Sequence, residues 1–235
     1  MLHFIGIGAQ KAGTTWLYEM LSRHPGIAFP AGKEVHFWDA HFERGLPWYD
    51  ACFPDSAARL NGEITPAYAM LPSERIALIK QAYPELRLFY ILRNPIQRAW
   101  SSALMALGRA EMTLEEASDQ WFIDHFLSAG SLARGDYADC LQNWREHFSA
   151  DQILILYYEQ IRLDPAALLC TCLAHLGLEH GIFLDEVREQ MSGRVFAGAG
   201  HALRPTLLPI LREIYYPQIE RLSLLLNKDL SHWKV

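Results

Sequence analysis

A parallel β-sheet flanked by helices is the fold class that this sequence predicts, and three observations predict it. The chain opens with a buried-strand pattern, a glycine-containing loop and an amphipathic helical pattern, in that order. Two further apolar runs, LRLFYIL at 86–92 and QILILYYEQI at 152–161, each lead into a helical pattern. Short apolar runs without polar alternation are typical of strands covered on both faces. Strands alternating with helices build parallel sheets, whose ligand chemistry gathers at the carboxyl ends of the strands.

The elements follow in order. Residues 3–9 (HFIGIGA) are the first strand and residues 10–13 its loop. Thr14 opens TTWLYEMLSR, where Trp16, Leu17, Met20 and Leu21 share one helical face. His24-Pro25-Gly26 ends that helix. Residues 27–40 hold a second short apolar piece and then KEVHFWD, and 47–58 read as a mobile aromatic stretch. GEITPAYAML (62–71) reads as strand then turn, and residues 72–82 as helix. The strand at 86–92 stops at Arg93-Asn94-Pro95, and a long helix runs from there to about Leu107. Residues 108–134 read as a helical insert or lid. Helices are expected at 137–148, 163–176 and 205–227, with an aperiodic glycine-rich stretch at 191–204. The expected sheet thus has three apolar strands, at 3–9, 86–92 and 152–161.

Composition bounds the function. The 235 residues are 51% apolar and 20% charged, which fits one globular domain and excludes disorder over most of the length. Basic side chains number 21 against 27 acidic, a formal charge of −6, which argues against a nucleic-acid partner. No apolar run reaches the ~18 residues of a membrane span. No basic segment precedes an apolar run at the start, so no signal peptide is expected. Cys52, Cys140, Cys170 and Cys172 lack C-x-x-C spacing and are expected to be reduced thiols of a cytoplasmic protein.

The run Gly8-Ala9-Gln10-Lys11-Ala12-Gly13-Thr14-Thr15 has the length of the phosphate loop G-x-x-x-x-G-K-[ST]. Thr14 stands in the lysine slot, and the lysine, Lys11, sits inside the loop instead. Backbone N–H groups at a helix N-terminus still cradle an anion, and the Thr14 and Thr15 hydroxyls add donors. In a metal-dependent NTPase a strand end supplies an aspartate to Mg²⁺. Here the corresponding strand ends in Arg93, a cation that opposes a metal and suits a second anion. Ser101 lies eight residues further, two helical turns on. Two anion sites without a metal aspartate suggest a nucleotide with phosphates at both its 5′ and 3′ positions. That describes 3′-phosphoadenosine 5′-phosphosulfate (PAPS), with no metal required.

On these residues the chain resembles the sulfotransferase family, in the branch of heparan sulfate sulfotransferases and bacterial relatives. The matching blocks are Gln10-Lys11-Ala12-Gly13-Thr14-Thr15, Lys33-Glu34-Val35-His36-Phe37 and Gly62-Glu63 to Tyr68. They continue with Arg93-Asn94-Pro95 plus Arg98 and Ser101, Gly135-Asp136-Tyr137, and Tyr158-Glu159 before Asp164-Pro165. Residues 229–233 are also similar to the family's terminus. The resemblance implies a fold like that of P-loop nucleotide kinases, with PAPS as donor and PAP as product. It implies donor contacts from Lys11, Ala12, Gly13, Thr14, Thr15 and Trp16. It maps the 3′-phosphate onto Arg93 and Ser101, with Arg194, His201 or Arg204 completing that site. It assigns Lys11 to the transferring group, Glu34 as general base, and His36 and Asp39 as residues that orient the acceptor or the base.

Sulfuryl transfer resembles phosphoryl transfer in its loose, in-line transition state. The leaving group is a nucleotide phosphate, so one placed cation, Lys11, suffices to stabilise it. The acceptor must lose a proton, which calls for a base. In an extended segment Glu34 and His36 would share a face. Each residue also has an ordinary alternative: a Lys33–Glu34 charge pair, a semi-buried His36, a capping Asp39 and a core-packed Tyr158. Trp38, Trp48, Tyr49, Tyr68, Trp121 and Phe122 are candidates for an acceptor pocket, with core packing the default for at least half.

Two departures from the family bear on the acceptor and donor. Ile64 stands where heparan-type enzymes carry a lysine, which disfavours a heparan-like acceptor. Ser192-Gly193-Arg194 lacks the lysine of the usual late nucleotide loop. The expected acceptor is a small molecule or carbohydrate, with a hydroxyl preferred over an amine. The rivals are a nucleotide or small-molecule kinase and a non-catalytic nucleotide-binding protein.

Overall fold

Residues 1–55, 59–179, 183 and 200–234 are described in a computed structural model. In chain order the main elements are β1 (Leu2–Gly8), α1 (Thr14–Ser22), β2 (Ile27–Ala28), α2 (Phe37–Ala40), α3 (Leu46–Ala51) and β3 (Leu60–Ile64). A 3-10 turn (Pro66–Met70), α4 (Ser73–Ala82), β4 (Arg87–Leu92) and α5 (Pro95–Arg109) come next. Then follow α6 (Asp119–Leu127), α7 (Ala129–Gly135), α8 (Tyr137–Arg145), β5 (Ile153–Tyr157), α9 (Gln160–Leu163), α10 (Pro165–His175) and α11 (Leu208–Leu226). The chain divides into two compact units, Met1–Leu92 with Gln142–Val195 and Arg93–Leu141 with Phe196–Val235.

The first unit is the α/β part. Its five strands are all parallel and run in the order β2-β3-β1-β4-β5. The strand β1 is central because it is apolar enough to be covered on both faces; all of its residues except His3 are buried. Phe4 meets Phe29, which directly follows β2, and Phe89 of the neighbouring β4 edge-to-face at 5.5 and 5.8 Å, so its ring packs with residues on both sides of β1 in the sheet. Two strands complete the sheet beside the three apolar ones: β3 falls on the strand expected at the start of 62–71, and β2 on the short apolar piece of 27–40. The two residues of β2 are too short to show a period, and β3 places the polar Asn61 and Glu63 among its buried positions.

Backbone hydrogen bonds continue past the strands at the carboxyl edge. The Ala9 N–H donates to Ile91 O (2.9 Å), Thr65 N–H to Gly6 O (3.0 Å) and Tyr158 N–H to Leu92 O (2.8 Å). The loops after β1, β3 and β5 are therefore held by the sheet itself. Part of the aromatic stretch expected to be mobile is ordered as α3, with Tyr49 fully buried and stacked 4.5 Å from Phe37. Residues 56–58 lie outside the described residues.

The second unit is helical. The Asn94 side chain caps α5 by accepting from the Ile96 N–H (3.0 Å), and Pro95 follows at the first helical position. The guanidinium of Arg98 is fully buried and donates to Ser131 O (3.1 Å) and the Tyr215 hydroxyl (3.3 Å). Tyr215 comes from α11 and Ser131 from α7, so one side chain ties three helices. The segment expected to be an insert holds α6 and α7, the first capped by Ser118 accepting from Trp121 N–H (3.2 Å). Among the described residues no helix is long and apolar enough to cross a membrane.

Candidate functional site

The loop between β1 and α1 is shaped for an anion. Gly13 caps α1 in a left-handed conformation (φ 93°), with no side-chain cap and no acidic residue in the first turn. A Cβ on Gly13 would lie 2.4 Å from Ile161 Cδ1 and 3.2 Å from Tyr158 Cδ2, so only glycine fits there. The Tyr158 ring is thus seated on the loop glycine, which is a packing role. Ala12 is buried and its N–H is taken by Ala9 O (3.2 Å). Trp16 is buried on the core face of α1, so it offers an anion its backbone N–H and not its indole. The N–H groups of Gly13, Thr14, Thr15 and Trp16 head the helix, where no carbonyl of the helix can pair them. Thr14 is buried and Thr15 half-buried, which leaves Thr15 the more accessible hydroxyl.

The segment 33–39 is not extended, so Glu34 and His36 do not share a face in the way a strand would give. Both take left-handed conformations, φ 66° and 56°. The two side chains nevertheless meet, with His36 Nε2 3.5 Å from Glu34 Oε2. His36 Nδ1 lies 2.9 Å from Asp39 Oδ2, and Glu34 also pairs with Lys33. Lys33, Glu34, His36 and Asp39 therefore form one charged chain on a partly exposed surface. Lys11 is left-handed as well (φ 68°), so three of the five non-glycine residues with positive φ among the described residues are Lys11, Glu34 and His36. Such backbone positions cost energy and concentrate at functional sites.

The segment hangs from the end of β3. Its Glu34 N–H donates to Ile64 O (3.1 Å), and Ile64 pairs with Gly6 of β1. The Glu34 segment, docked on the end of β3, and the Lys11 loop, which follows the neighbouring β1, thus lie at the same edge of the sheet. Beneath the segment lies Glu63, fully buried. It accepts from the Tyr49 hydroxyl, the Thr65 hydroxyl (2.8 Å), the Tyr68 hydroxyl (3.4 Å) and the Val35 N–H. Burial pushes the Glu63 carboxyl up to about 7, against the pull of these four donors. Burial and the Glu63 charge push the Tyr49 and Tyr68 hydroxyls up in turn. No role for Glu63 follows from sequence, although an acid in the middle of a buried strand is a signal that could have found it. Ile64 is fully buried against Gly6, so at the heparan-type lysine position this chain has a core side chain.

In the second unit Arg93 follows directly on the residues of β4, and its carbonyl accepts from the Tyr137 hydroxyl (2.9 Å). Ser101 is half-buried on α5. Arg204 pairs with Asp119 (2.7 Å), sits 4.9 Å from the Phe122 ring centre and donates to Leu114 O. That pairing commits its guanidinium within the unit. His201 O accepts from the Trp100 indole (2.8 Å). Arg194 lies outside the described residues. Of the six aromatic candidates, Trp38, Tyr49, Tyr68 and Phe122 are core, and Trp48 and Trp121 are half-buried. Among the described residues no group of three or more His, Cys, Asp and Glu side chains is placed to hold a metal ion.

The sequence and the fold have counterparts among known proteins. The human heparan sulfate glucosamine 3-O-sulfotransferase 3B1 is 31% identical over 180 residues, covering 74% of this chain. The chain spans less than half, 45%, of that relative. A crystal structure of a sulfotransferase from Alicyclobacillus acidocaldarius matches with a TM-score of 0.76 at 26% identity, over 100% of this chain and 99% of that one. A mouse sulfotransferase complexed with PAP shares the fold at a TM-score of 0.60 and 19% identity, over 93% of this chain and 84% of that one. The model of the sulfotransferase domain matches residues 3–194, and the chain belongs to that family.

Proposed function

We propose that this chain transfers a sulfuryl group from PAPS to a hydroxyl, in preference to an amine, of a small molecule or carbohydrate and releases PAP. The observation that carries the reading is the β1–α1 loop. Its lysine is displaced to position 11, its helix start is uncapped, and the next strand of the sheet runs out to an arginine rather than to an aspartate. The family match over residues 3–194 supports the same reaction. The PAP complex of the mouse relative supports the donor.

In this reading the N–H groups heading α1 and the Thr15 hydroxyl hold the 5′-phosphate. Lys11 neutralises the charge that develops on the phosphate oxygen as its bond to sulfur breaks. Arg93 and Ser101 take the 3′-phosphate, with Arg194 as a further donor contact. The acceptor oxygen forms its bond to sulfur, and its proton passes to Glu34, which His36 and Asp39 orient. One sulfotransferase domain over residues 1–235 is the domain reading that goes with it. The four free cysteines fit a reducing, cytoplasmic setting.

One observation favours a second assignment inside the same reaction. The Asp39–His36 contact has the form of a carboxylate orienting an imidazole base. The buried Ile64 supports an acceptor less acidic than a heparan chain. The test is turnover of PAPS in EDTA over a panel of hydroxyl and amine acceptors. Sulfated product without added metal supports the reading; turnover of MgATP and none of PAPS overturns it.

A further inference from the structure

Glu34 and His36 flank Val35, and neither is a glycine or asparagine that would make a positive φ inexpensive. Something must over-determine the conformation of 34–38. The structure supplies three anchors, all from the carboxyl end of β3 and the turn after it. The Glu34 N–H is held by Ile64 O (3.1 Å), the Val35 N–H by the Glu63 carboxylate and the Trp38 N–H by the Tyr68 hydroxyl (3.3 Å). Two of the three converge on Glu63, because the Tyr68 hydroxyl that receives Trp38 itself donates to Glu63 (3.4 Å).

Glu63 has the chemistry for this task. An ionised carboxylate offers about four acceptor sites and no donor. Here four donors from α3, β3's own exit, the 3-10 turn and the 34–38 segment fill them. Charge-assisted bonds of this kind are roughly twice as strong as neutral ones. A buried carboxylate is costly, and a neighbour that only packed would be met by an apolar side chain instead.

We propose that Glu63 is a positioning residue of the acceptor side: it fixes the backbone of Val35 and, through Tyr68, of Trp38, and so aims Glu34 and His36. The role rests on the reading of Glu34 and His36 as the groups that handle the acceptor proton. Glu63 itself touches no reacting atom.

The experiment combines amide exchange with steady-state kinetics on Glu63→Gln and Tyr68→Phe. Glutamine replaces one acceptor oxygen by a donor, so at least one of the four donors loses its place. Phenylalanine removes the Tyr68 hydroxyl, and with it the link from Glu63 to Trp38 and one of the four donors to Glu63, while it leaves the carboxylate in place; it carries the test where Glu63→Gln fails to fold. The expected result is faster exchange at Val35 and Trp38 in Glu63→Gln, and at Trp38 in Tyr68→Phe, with PAP affinity and the KM for PAPS unchanged. Turnover should fall by about 10- to 100-fold, as misplacement of a reacting group does. Unchanged exchange in both variants overturns the proposal, and so does faster exchange with wild-type kcat. Exchange does not depend on which residue is the base. If Glu34→Gln and His36→Ala both keep wild-type turnover while exchange quickens, the failure lies in the reading of those two residues.

Discussion

Asp39 Oδ2 sits 2.9 Å from Nδ1 of His36, which fixes what the other ring nitrogen can do. With Nδ1–H donating to Asp39, Nε2 is the ring nitrogen left to exchange a proton, and it faces Glu34 Oε2 at 3.5 Å. Two acceptors at that separation attract only when one of them holds a proton. In the proposed reaction this is the place that receives the proton the acceptor gives up.

Substitution separates the roles within the pair. Glu34→Gln should bind PAP like wild type and lose about 10²–10⁴-fold in kcat, with the acidic limb of the pH–rate profile gone. His36→Ala and Asp39→Asn should be milder. A dead His36→Ala beside a near-normal Glu34→Gln would make His36 the base, oriented by Asp39.

Donor recognition predicts a preference that calorimetry reads directly. PAP should bind about 10–150-fold more tightly than AMP, the value of one charge-assisted phosphate contact at about 1.5–3 kcal/mol. The difference should survive EDTA. Equal affinity for the two nucleotides would remove the 3′-phosphate role from Arg93 and Ser101.

Lys11→Ala and Arg93→Ala should fail differently. Both lysine and alanine carry a Cβ, so the left-handed strain at position 11 is common to wild type and variant. Loss of Lys11 removes charge stabilisation made only in the transition state and should mainly lower kcat. Loss of Arg93 removes a contact to an unreacting phosphate and should mainly raise the KM for PAPS. Identical changes in both constants would show the roles misassigned.

The burial of Glu63 also makes stability depend on pH. Its folded pKa is raised from 4.5 to about 7, so the folded state holds its proton more tightly than the unfolded chain. The stability this group contributes is full below about 4.5 and is lost as pH rises through about 7. The loss is on the order of 3 kcal/mol. Urea unfolding of wild type and Glu63→Gln at pH 4.5 and pH 8 should therefore give a difference that changes with pH in that direction. A pH-independent difference would mean that Glu63 is ionised throughout.

Much of the sheet is legible in the sequence because β1, β4 and β5 read as apolar runs, the first two almost wholly buried and β5 buried at Ile153 and Leu156. The start of β3 is legible too, in the strand-then-turn pattern of 62–71, but its buried Asn61 and Glu63 keep it from reading as an apolar run. The strand β2 is hidden because it has only two residues. The loop lysine and the arginine after β4 stand out because they break the pattern of a metal-dependent phosphate loop. The shape of 33–39 is hidden, since nothing in Lys-Glu-Val-His announces two left-handed residues; tertiary hydrogen bonds from Glu63, Ile64 and Tyr68 impose them. The short α3 escapes a sequence reading because six residues are too few to display a helical period. The burial of Arg98 is invisible for a similar reason: its partners Ser131 and Tyr215 are 33 and 117 residues away.

The central place of β1 sets the order in which this chain can fold. The strand β1 pairs with Leu60–Ile64 on one side and Arg87–Leu92 on the other, so one of its edges waits for β3 and the other stays open until β4 has been made. The strand beyond β4 comes only after the whole of Arg93–Leu141 has been made. Pairings of such long sequence separation are slow and leave apolar edges exposed to other chains. Pulse-labelled refolding should show the β1 amides protected together with those of β4 and not before. Refolding yield should fall with concentration more steeply than for a helical protein of equal size.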